Sequence, residues 1–155
     1  MTGTAGVGRY RVLVVDDEQP VIDGISTIIE RDAPGFRIVG TAASGRQALQ
    51  QLREHSPDVL LLDIHMPGLD GLDVLREMKE AGIAPVTFLV SAYERFDIAR
   101  EAFGLGVFDY VLKPLAPRRL RECLDRAAVE LERRRSHQER LARISEREDR
   151  IVALL

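Results

Sequence analysis

The segment Asp58-Val-Leu-Leu-Leu-Asp63-Ile-His-Met-Pro-Gly68 decides the fold of this chain. Its four central apolar residues predict a short strand that is buried on both faces, as in a parallel sheet covered by helices. Asp63 ends that strand, and Met66-Pro67-Gly68 then turns the chain. The segment therefore predicts one carboxylate at the carboxyl edge of a parallel sheet.

Strand-like and helix-like patterns alternate five times around this segment. The strand-like runs cover residues 11–15, 36–41, 59–62, 86–90 and 107–112, and the helix-like runs cover 20–31, 44–55, 71–80, 95–103 and 117 onward. Pro20 stands at a helix start, Ser44 is a helix-capping residue, and Gly82 follows a helix end. This alternation predicts an α/β domain with helices on both faces of a parallel sheet.

Polar side chains follow four of the five predicted strands. Asp16 and Asp17 follow the first strand, and Asp63 ends the third. Ser91 follows the fourth strand and Lys113 follows the fifth. Because ligands of open α/β sheets bind outside the carboxyl ends of the strands, these residues predict a site at that edge.

The combination of Asp16-Asp17, Asp63, Ser91 and Lys113-Pro114 resembles the receiver domain of response regulators, the phosphoacceptor half of two-component signalling. The resemblance covers roughly residues 9–130. It implies a flavodoxin-like, doubly wound fold with five parallel strands in the order 2-1-3-4-5. An extended C-terminal helix is expected in addition, over residues 131–155.

By this resemblance, Asp63 is the nucleophile that accepts a phosphoryl group with Mg²⁺ as cofactor. Asp17 and Asp63 would ligate the ion directly, and Asp16 would act largely through water. The backbone carbonyl of His65 would be the remaining ligand from the protein. Three carboxylates at one sheet edge also repel one another unless a cation lies among them. The alternative is that Asp16, Asp17 and Glu18 only stabilise the amino terminus of the first helix.

The resemblance also assigns roles to the residues around the acceptor. Lys113 would bind a phosphoryl oxygen, aimed by a cis peptide bond to Pro114. Ser91 and Tyr110 would form the switch that responds to phosphorylation, and Tyr93 would modulate loss of the phosphoryl group. Without the resemblance, Lys113 is an ordinary surface lysine, Ser91 a helix cap and Tyr110 a strand aromatic.

Composition limits the class of protein. The chain has 155 residues with 45% hydrophobic content, which suits one domain plus an extension. Residues 1–8 predict a short disordered leader, because they lack the basic start and apolar centre of a signal peptide. Cys123 is the only cysteine, so an intramolecular disulfide is excluded and a cytoplasmic location is expected. No stretch approaches the roughly 20 apolar residues of a membrane span.

The tail beyond the predicted domain has a different character. Residues 116–155 hold 11 Arg against 8 acids, a balance typical of an ion-paired helix rather than a nucleic-acid patch. Leu131, Leu141, Ile144 and Ile151 have imperfect heptad spacing, which predicts a helical linker or weak coiled coil. A single solvated helix is the alternative. Residues 144–155 are weakly similar to the opening helix of a helix-turn-helix, so DNA binding would need an output domain that is not present here.

The predicted function is a phosphorylation-controlled switch rather than an enzyme in the usual sense, with a sensor histidine kinase as phosphoryl donor and transcription regulation as output. A homodimer is expected through the fourth helix, fifth strand and fifth helix, continued by the C-terminal helix. One alternative is a degenerate receiver that only binds proteins. Another is a phosphohydrolase of the haloacid dehalogenase type, although that family needs Asp-x-Asp on its first strand and this chain has adjacent Asp16 and Asp17.

Overall fold

Five parallel strands form one sheet in the order β2-β1-β3-β4-β5 in the computed structural model, which describes residues 10–155. The strands are β1 (Tyr10–Val15), β2 (Phe36–Ala42), β3 (Val59–Asp63), β4 (Val86–Ser91) and β5 (Asp109–Leu112). The predicted fold class and strand order are confirmed. The predicted leader at residues 1–8 lies outside the described residues.

Five helices cover the two faces of the sheet. They are α1 (Gln19–Asp32), α2 (Gly45–His55), α3 (Gly71–Ala81), α4 (Phe96–Gly104) and α5 (Pro117–Leu154). Alternate residues of each central strand pack to opposite faces: in β3, Leu60 and Leu62 join the core under α2 and α3, while Val59 and Leu61 join the core under α1 and α5. Burial on both faces explains why the central strands are continuous apolar runs.

Local signals fix where the helices begin. The Ser44 side chain accepts a hydrogen bond from the amide of Gln47 at 3.2 Å, as its capping position predicts. Asp70 and Asp73 form a reciprocal capping box at the start of α3. Because that box fixes the first turn of α3, it also fixes the chain that connects α3 to the end of β3.

Strand β5 is shorter than the sequence indicates. It begins at Asp109 rather than at residue 107. The amide of Val107 bonds back to the carbonyl of Ala102 at 3.1 Å and so belongs to the end of α4. The apolar run from Val107 to Leu112 therefore combines a helix end with an edge strand, which periodicity does not distinguish.

Helix α5 is one continuous helix of 38 residues. It packs on the sheet through buried residues as far as Ala127, and Leu131 still contacts that core. Arg134 donates to the carbonyl of Ala84 at 2.7 Å, so contacts with the body continue four residues past the boundary expected at residue 130. From Arg135 onward every residue is exposed.

No helix among residues 10–155 has the length and apolarity to cross a membrane. The longest, α5, carries charges along its whole exposed length.

Candidate functional site at the carboxyl edge of the sheet

Four predicted site residues meet at the carboxyl edge of the sheet because the strands are parallel and in register. Asp63 pairs with Val90, and Ser91 pairs with Leu112, so these strand ends are adjacent. The amide of Lys113 donates to the carbonyl of Ser91 at 2.7 Å, which fixes the lysine backbone beside β4. The peptide bond from Lys113 to Pro114 is cis.

Lys113 bridges two buried carboxylates. Its Nζ lies 2.7 Å from Oδ2 of Asp16 and 3.2 Å from Oδ1 of Asp63. Asp16 is 2% exposed and Asp63 is 4% exposed, so both charges depend on this lysine for compensation. Burial alone lowers the pKa of Lys113, but the hydrogen bond to Asp16 and the charge of Asp63 outweigh it and hold that pKa above its usual range. Lys113 is therefore charged and held at Asp63.

The carboxylate of Asp63 is poorly stabilised as an anion. Burial, followed by the negative charge of Asp16, raises the pKa of Asp63 from 3.8 to about 6, although Lys113 acts in the opposite direction. A site that disfavours its own anion is one that a cation or a second positive group would stabilise.

The carboxylates can supply oxygen ligands for a hard divalent cation. Ligand atoms of Asp16, Asp17 and Glu18 lie within 4.8 Å of one another, whereas Asp63 is outside that group and bound to Lys113 instead. Asp16 Oδ1 accepts the amide of Glu18 at 2.9 Å and its Oδ2 contacts Lys113, so both of its oxygens are already engaged. Oxygen donors of this kind suit Mg²⁺, which keeps several waters and needs only one or two carboxylates. The donor set therefore fits the expected ion.

The two predicted switch residues share one partner, Tyr93. The amide of Tyr93 donates to Oγ of Ser91 at 3.1 Å, and its carbonyl accepts the hydroxyl of Tyr110 at 2.6 Å. The ring of Tyr93 also meets the ring of His65 edge to face, with centroids 5.5 Å apart. Sequence reasoning placed each of these residues near the site but did not find their common link, because it runs through the backbone of Tyr93.

The close approach of Gly71 to the backbone of Asp63 is a second contact that the sequence reasoning missed. A Cβ at this position would lie 2.6 Å from the carbonyl oxygen of Asp63 and 2.9 Å from Cα of Ile64. The amide of Gly71 donates to the carbonyl of Ile64 at 2.9 Å. The first turn of α3 thus rests directly on the backbone of Asp63, and only glycine permits that approach. The available signal was a glycine immediately after the capping residue Asp70.

Comparison with known proteins gives a consistent family. The family model described as the response regulator receiver domain matches residues 12–125. A transcriptional regulatory protein of Bacillus subtilis, YesN, is 30% identical over 92% of this chain and 39% of its own length. A protein-glutamate methylesterase/protein-glutamine glutaminase of Methanospirillum hungatei is 39% identical over 72% of this chain and 33% of its own length. This chain therefore spans well under half of either relative.

A solved structure agrees with these relatives. The receiver domain of AraT, a response regulator from Geobacillus stearothermophilus, superposes with a TM-score of 0.75 at 34% identity. The match covers 82% of this chain and 98% of that domain.

Proposed function

The chain belongs to the response regulator receiver family, and from that premise we propose that Asp63 is its phosphoacceptor, receiving a phosphoryl group from a sensor histidine kinase. The observation that carries the proposal is the contact of Lys113 with both Asp16 and Asp63, since it brings the charged groups from three strand ends to one point. Family membership sets aside the haloacid dehalogenase alternative.

Phosphoryl transfer at this site is mainly a matter of position and charge. Lys113 holds Oδ1 of Asp63, which leaves Oδ2 to attack the phosphorus of a phosphohistidine. The P–O bond forms as the P–N bond breaks, and the imidazole keeps the electron pair and takes up a proton. Lys113 then contacts a phosphoryl oxygen, and its charge compensates the added negative charge.

We propose Mg²⁺ as the cofactor, held by Asp16, Asp17 and Asp63 with the backbone carbonyl of His65. When bound, the ion supplies positive charge beside the transferred phosphoryl group. The closeness of the Asp16 and Asp17 carboxylates and the raised pKa of Asp63 support this assignment.

The contacts of Tyr93 suggest how phosphorylation changes the surface. Oγ of Ser91 would leave the amide of Tyr93 to donate to a phosphoryl oxygen, so the loop that carries Tyr93 would lose this hydrogen bond. Tyr110 would move with that loop because its hydroxyl is bonded to the Tyr93 carbonyl. The ring pair of His65 and Tyr93 would slow the approach of the water that removes the phosphoryl group.

We propose that this change controls self-association and, through an output domain, transcription. The name of the Bacillus subtilis relative and the weak similarity of residues 144–155 to a helix-turn-helix start support that output. The dimer face would be α4, β5 and α5, which borders the loop of Tyr93. A buried, free Cys123 suits a reducing cytoplasm, which we propose as the location.

The proposal is tested by labelling with acetyl phosphate and Mg²⁺. The protein should gain one phosphoryl group, and Asp63→Ala should gain none, because the other carboxylate in contact with Lys113, Asp16, also accepts the amide of Glu18 and so has both oxygens engaged. Intact mass at neutral pH measures the gain. Asp58→Ala is the matched control, since Asp58 stands at the opposite end of the same strand. Unchanged labelling of Asp63→Ala would refute the acceptor, and an unlabelled parent protein would favour a receiver that only binds proteins.

A further inference from the structure

The amino edge of the sheet, where the strands begin, holds a cleft of about 700 Å³. One wall belongs to the body of the protein and is formed by the end of α2 and by the turns that lead into β3 and β4. The other wall is α5, just beyond the last residue that it buries against the sheet. Cavities that hold small molecules have volumes of roughly 300–1,000 Å³. The cleft is therefore large enough for a small organic ligand.

The body wall of this cleft is mainly apolar. Leu52, Pro57 and Pro85 are buried residues that border the cleft, and Ile83 is partly buried there. Of the α5 residues that line the opposite wall, only Leu131 is apolar. The body wall thus presents apolar surface that α5 does not cover, and a ligand with an apolar body would remove that surface from water.

The α5 wall is polar and cationic. Leu131, Arg134, Arg135 and Gln138 have the spacing i, i+3, i+4, i+7, so they lie on one face of the helix. One heptad before Leu131, the same face buries Leu124 against the sheet. The side of α5 that faces the core therefore changes from apolar to cationic where it borders the cleft.

The body wall adds a third guanidinium group. Arg53, in the last turn of α2, lines the cleft and has no hydrogen-bond or ion-pair partner among residues 10–155. Asp58 is the only acid among the described residues that line the cleft, and its Oδ2 accepts the amide of Arg11 at 2.9 Å. Residues 1–115 as a whole hold 11 basic against 17 acidic residues. The cleft is thus a locally positive site on an acidic body.

The guanidinium groups on α5 are only partly engaged. Arg134 donates through Nη1 to a loop carbonyl at 2.7 Å and through Nε to Glu130 at 2.8 Å, which leaves its Nη2 group for another acceptor. Arg135 contacts Glu132 and Glu139 at 3.1 and 3.8 Å, at exposed positions where ion pairs contribute little. Guanidinium groups in this state can bind the oxygens of a carboxylate, sulfonate or phosphate.

We propose that the cleft binds an organic anion with a flat, aromatic body. The apolar body wall covers the ring, and the guanidinium groups of Arg53, Arg134 and Arg135 bind the anionic group. Because such a ligand contacts both walls, it holds α5 against the body. This inference goes beyond the proposed function, since the cleft lies at the edge of the sheet opposite Asp63.

Fluorescence titration of the full chain with anilinonaphthalene sulfonate, an aromatic anion, tests the site. We expect one binding site per chain. Arg53→Glu should weaken binding at least about tenfold, because it removes a charge-assisted hydrogen bond and adds a repelling charge. Arg46→Glu is the matched control and should leave the affinity unchanged. Arg46 is exposed on the same side of α2, two turns before Arg53, and lies outside the cleft.

A second pair of variants fills the cleft instead of changing its charge. Gln138→Trp adds an indole to the wall formed by α5 and should block the probe. His137→Trp, at the adjacent position outside the cleft, should bind the probe as the parent does. Both positions are exposed, so neither substitution disturbs the core. Phe96→Ser, which removes an aromatic side chain that is 87% exposed on α4, should also leave binding unchanged.

Competition against the probe identifies the anionic group. Displacement by adenosine monophosphate alone assigns a phosphate, displacement by naphthoate alone assigns a carboxylate, and displacement by both supports a general site for aromatic anions. Displacement by neither overturns the ligand class.

Three results with the variants would overturn the site itself. They are equal affinities of Arg53→Glu and Arg46→Glu, equal binding by Gln138→Trp and His137→Trp, and binding that Phe96→Ser loses while Arg53→Glu retains it.

Discussion

At the scale of single residues, Asp63 is a carboxylate that the fold keeps partly uncompensated. It is buried beside Asp16 and shares one lysine with it. Burial and the charge of Asp16 raise its pKa to about 6. Keeping this carboxylate ionised lowers the free energy of unfolding at neutral pH, and a bound cation would restore that free energy.

The raised pKa predicts that removing the charge stabilises the metal-free protein. Because the folded-state pKa of Asp63 exceeds 3.8, its contribution to stability is complete below pH 3.8 and is lost as pH rises through about 6. Asp63→Asn has no such loss. We expect the free energy of unfolding of Asp63→Asn to exceed that of the parent by up to about 3 kcal/mol at pH 7.5, and by less at pH 4.

Urea titrations at both pH values in EDTA measure this difference. Asp125→Asn, at an exposed site on α5, is the control and should differ little from the parent. A stability difference between Asp63→Asn and the parent that does not change with pH would contradict the account.

Gly71 gives a residue-scale prediction that links packing to function. Gly71→Ala would force Cβ to within 2.6 Å of the Asp63 carbonyl, a backbone atom that has no alternative rotamer. We expect a loss of about 1–3 kcal/mol in unfolding free energy and slower labelling by acetyl phosphate, because the acceptor must shift.

Gly24→Ala is the matched control for that change. No atom lies within 4 Å of a Cβ at position 24, and the position is in the middle of α1. It should stabilise the protein by about 0.5–1 kcal/mol and leave the labelling rate unchanged. Labelling of Gly71→Ala at the parental rate would show that α3 does not position the acceptor.

At the scale of elements, α5 is fixed to the body by a short charged segment beyond its buried face. Glu130 accepts from Nε and Nη2 of Arg133 at 2.8 and 3.0 Å and from Nε of Arg134 at 2.8 Å. Arg134 also reaches the carbonyl of Ala84, and Glu132 bonds the hydroxyl of Tyr10. These contacts hold α5 against the body as far as Arg134, and the helix is exposed to solvent beyond that residue.

The Glu130 cluster predicts an acid-dependent contribution to stability. Hydrogen bonds from Arg133 and Arg134 lower the pKa of Glu130 from 4.5 to about 2. Because the folded-state pKa is depressed, the contribution is present above pH 4.5 and is lost as pH falls towards 2. Glu130→Gln should lose about 1 kcal/mol at pH 7, since the arginines are largely solvated, and progressively less below pH 4.5.

Thermal unfolding between pH 3 and pH 7 measures that loss. Glu139→Gln breaks a more exposed pair with Arg135 at 3.8 Å and should have a smaller effect. Equal destabilisation by the two variants would show that Glu130 does not anchor the helix.

At the scale of the whole molecule, the site and the extension lie at opposite edges of the sheet, joined by α5. In the proposed dimer, the face of α4, β5 and α5, which borders the loop of Tyr93, would couple them. A phosphoryl mimic at Asp63 should therefore raise dimer affinity by about 1–3 kcal/mol, the usual coupling between two linked sites.

Sedimentation of the full chain with and without beryllofluoride measures this coupling. Asp63→Asn is the control and should show no response. Equal monomer fractions with and without the mimic in the parent protein would favour a receiver that signals by binding a different protein.

The sequence by itself determined the fold class and most of the site. Apolar runs of strand length, four of them followed by a polar residue, predict both a parallel sheet and the residues at its carboxyl edge, because parallel strands end together. Asp63, Ser91 and Lys113 followed from that rule alone. Helix starts were equally local, since a capping side chain bonds only within its own turn.

The tertiary structure determined the features that depend on how closely the backbones of distant segments approach one another. Three such features join residues whose spacing in the sequence carries no periodic signal. They are the contact of Gly71 with Asp63, the two hydrogen bonds of Tyr93 with Ser91 and Tyr110, and the hydrogen bond of Arg134 to Ala84. The tertiary structure also determined where β5 starts, because the amide of Val107 donates to the carbonyl of Ala102 in α4 and not to a neighbouring strand. Such choices depend on which partner is closest in space, and only the packed chain specifies that.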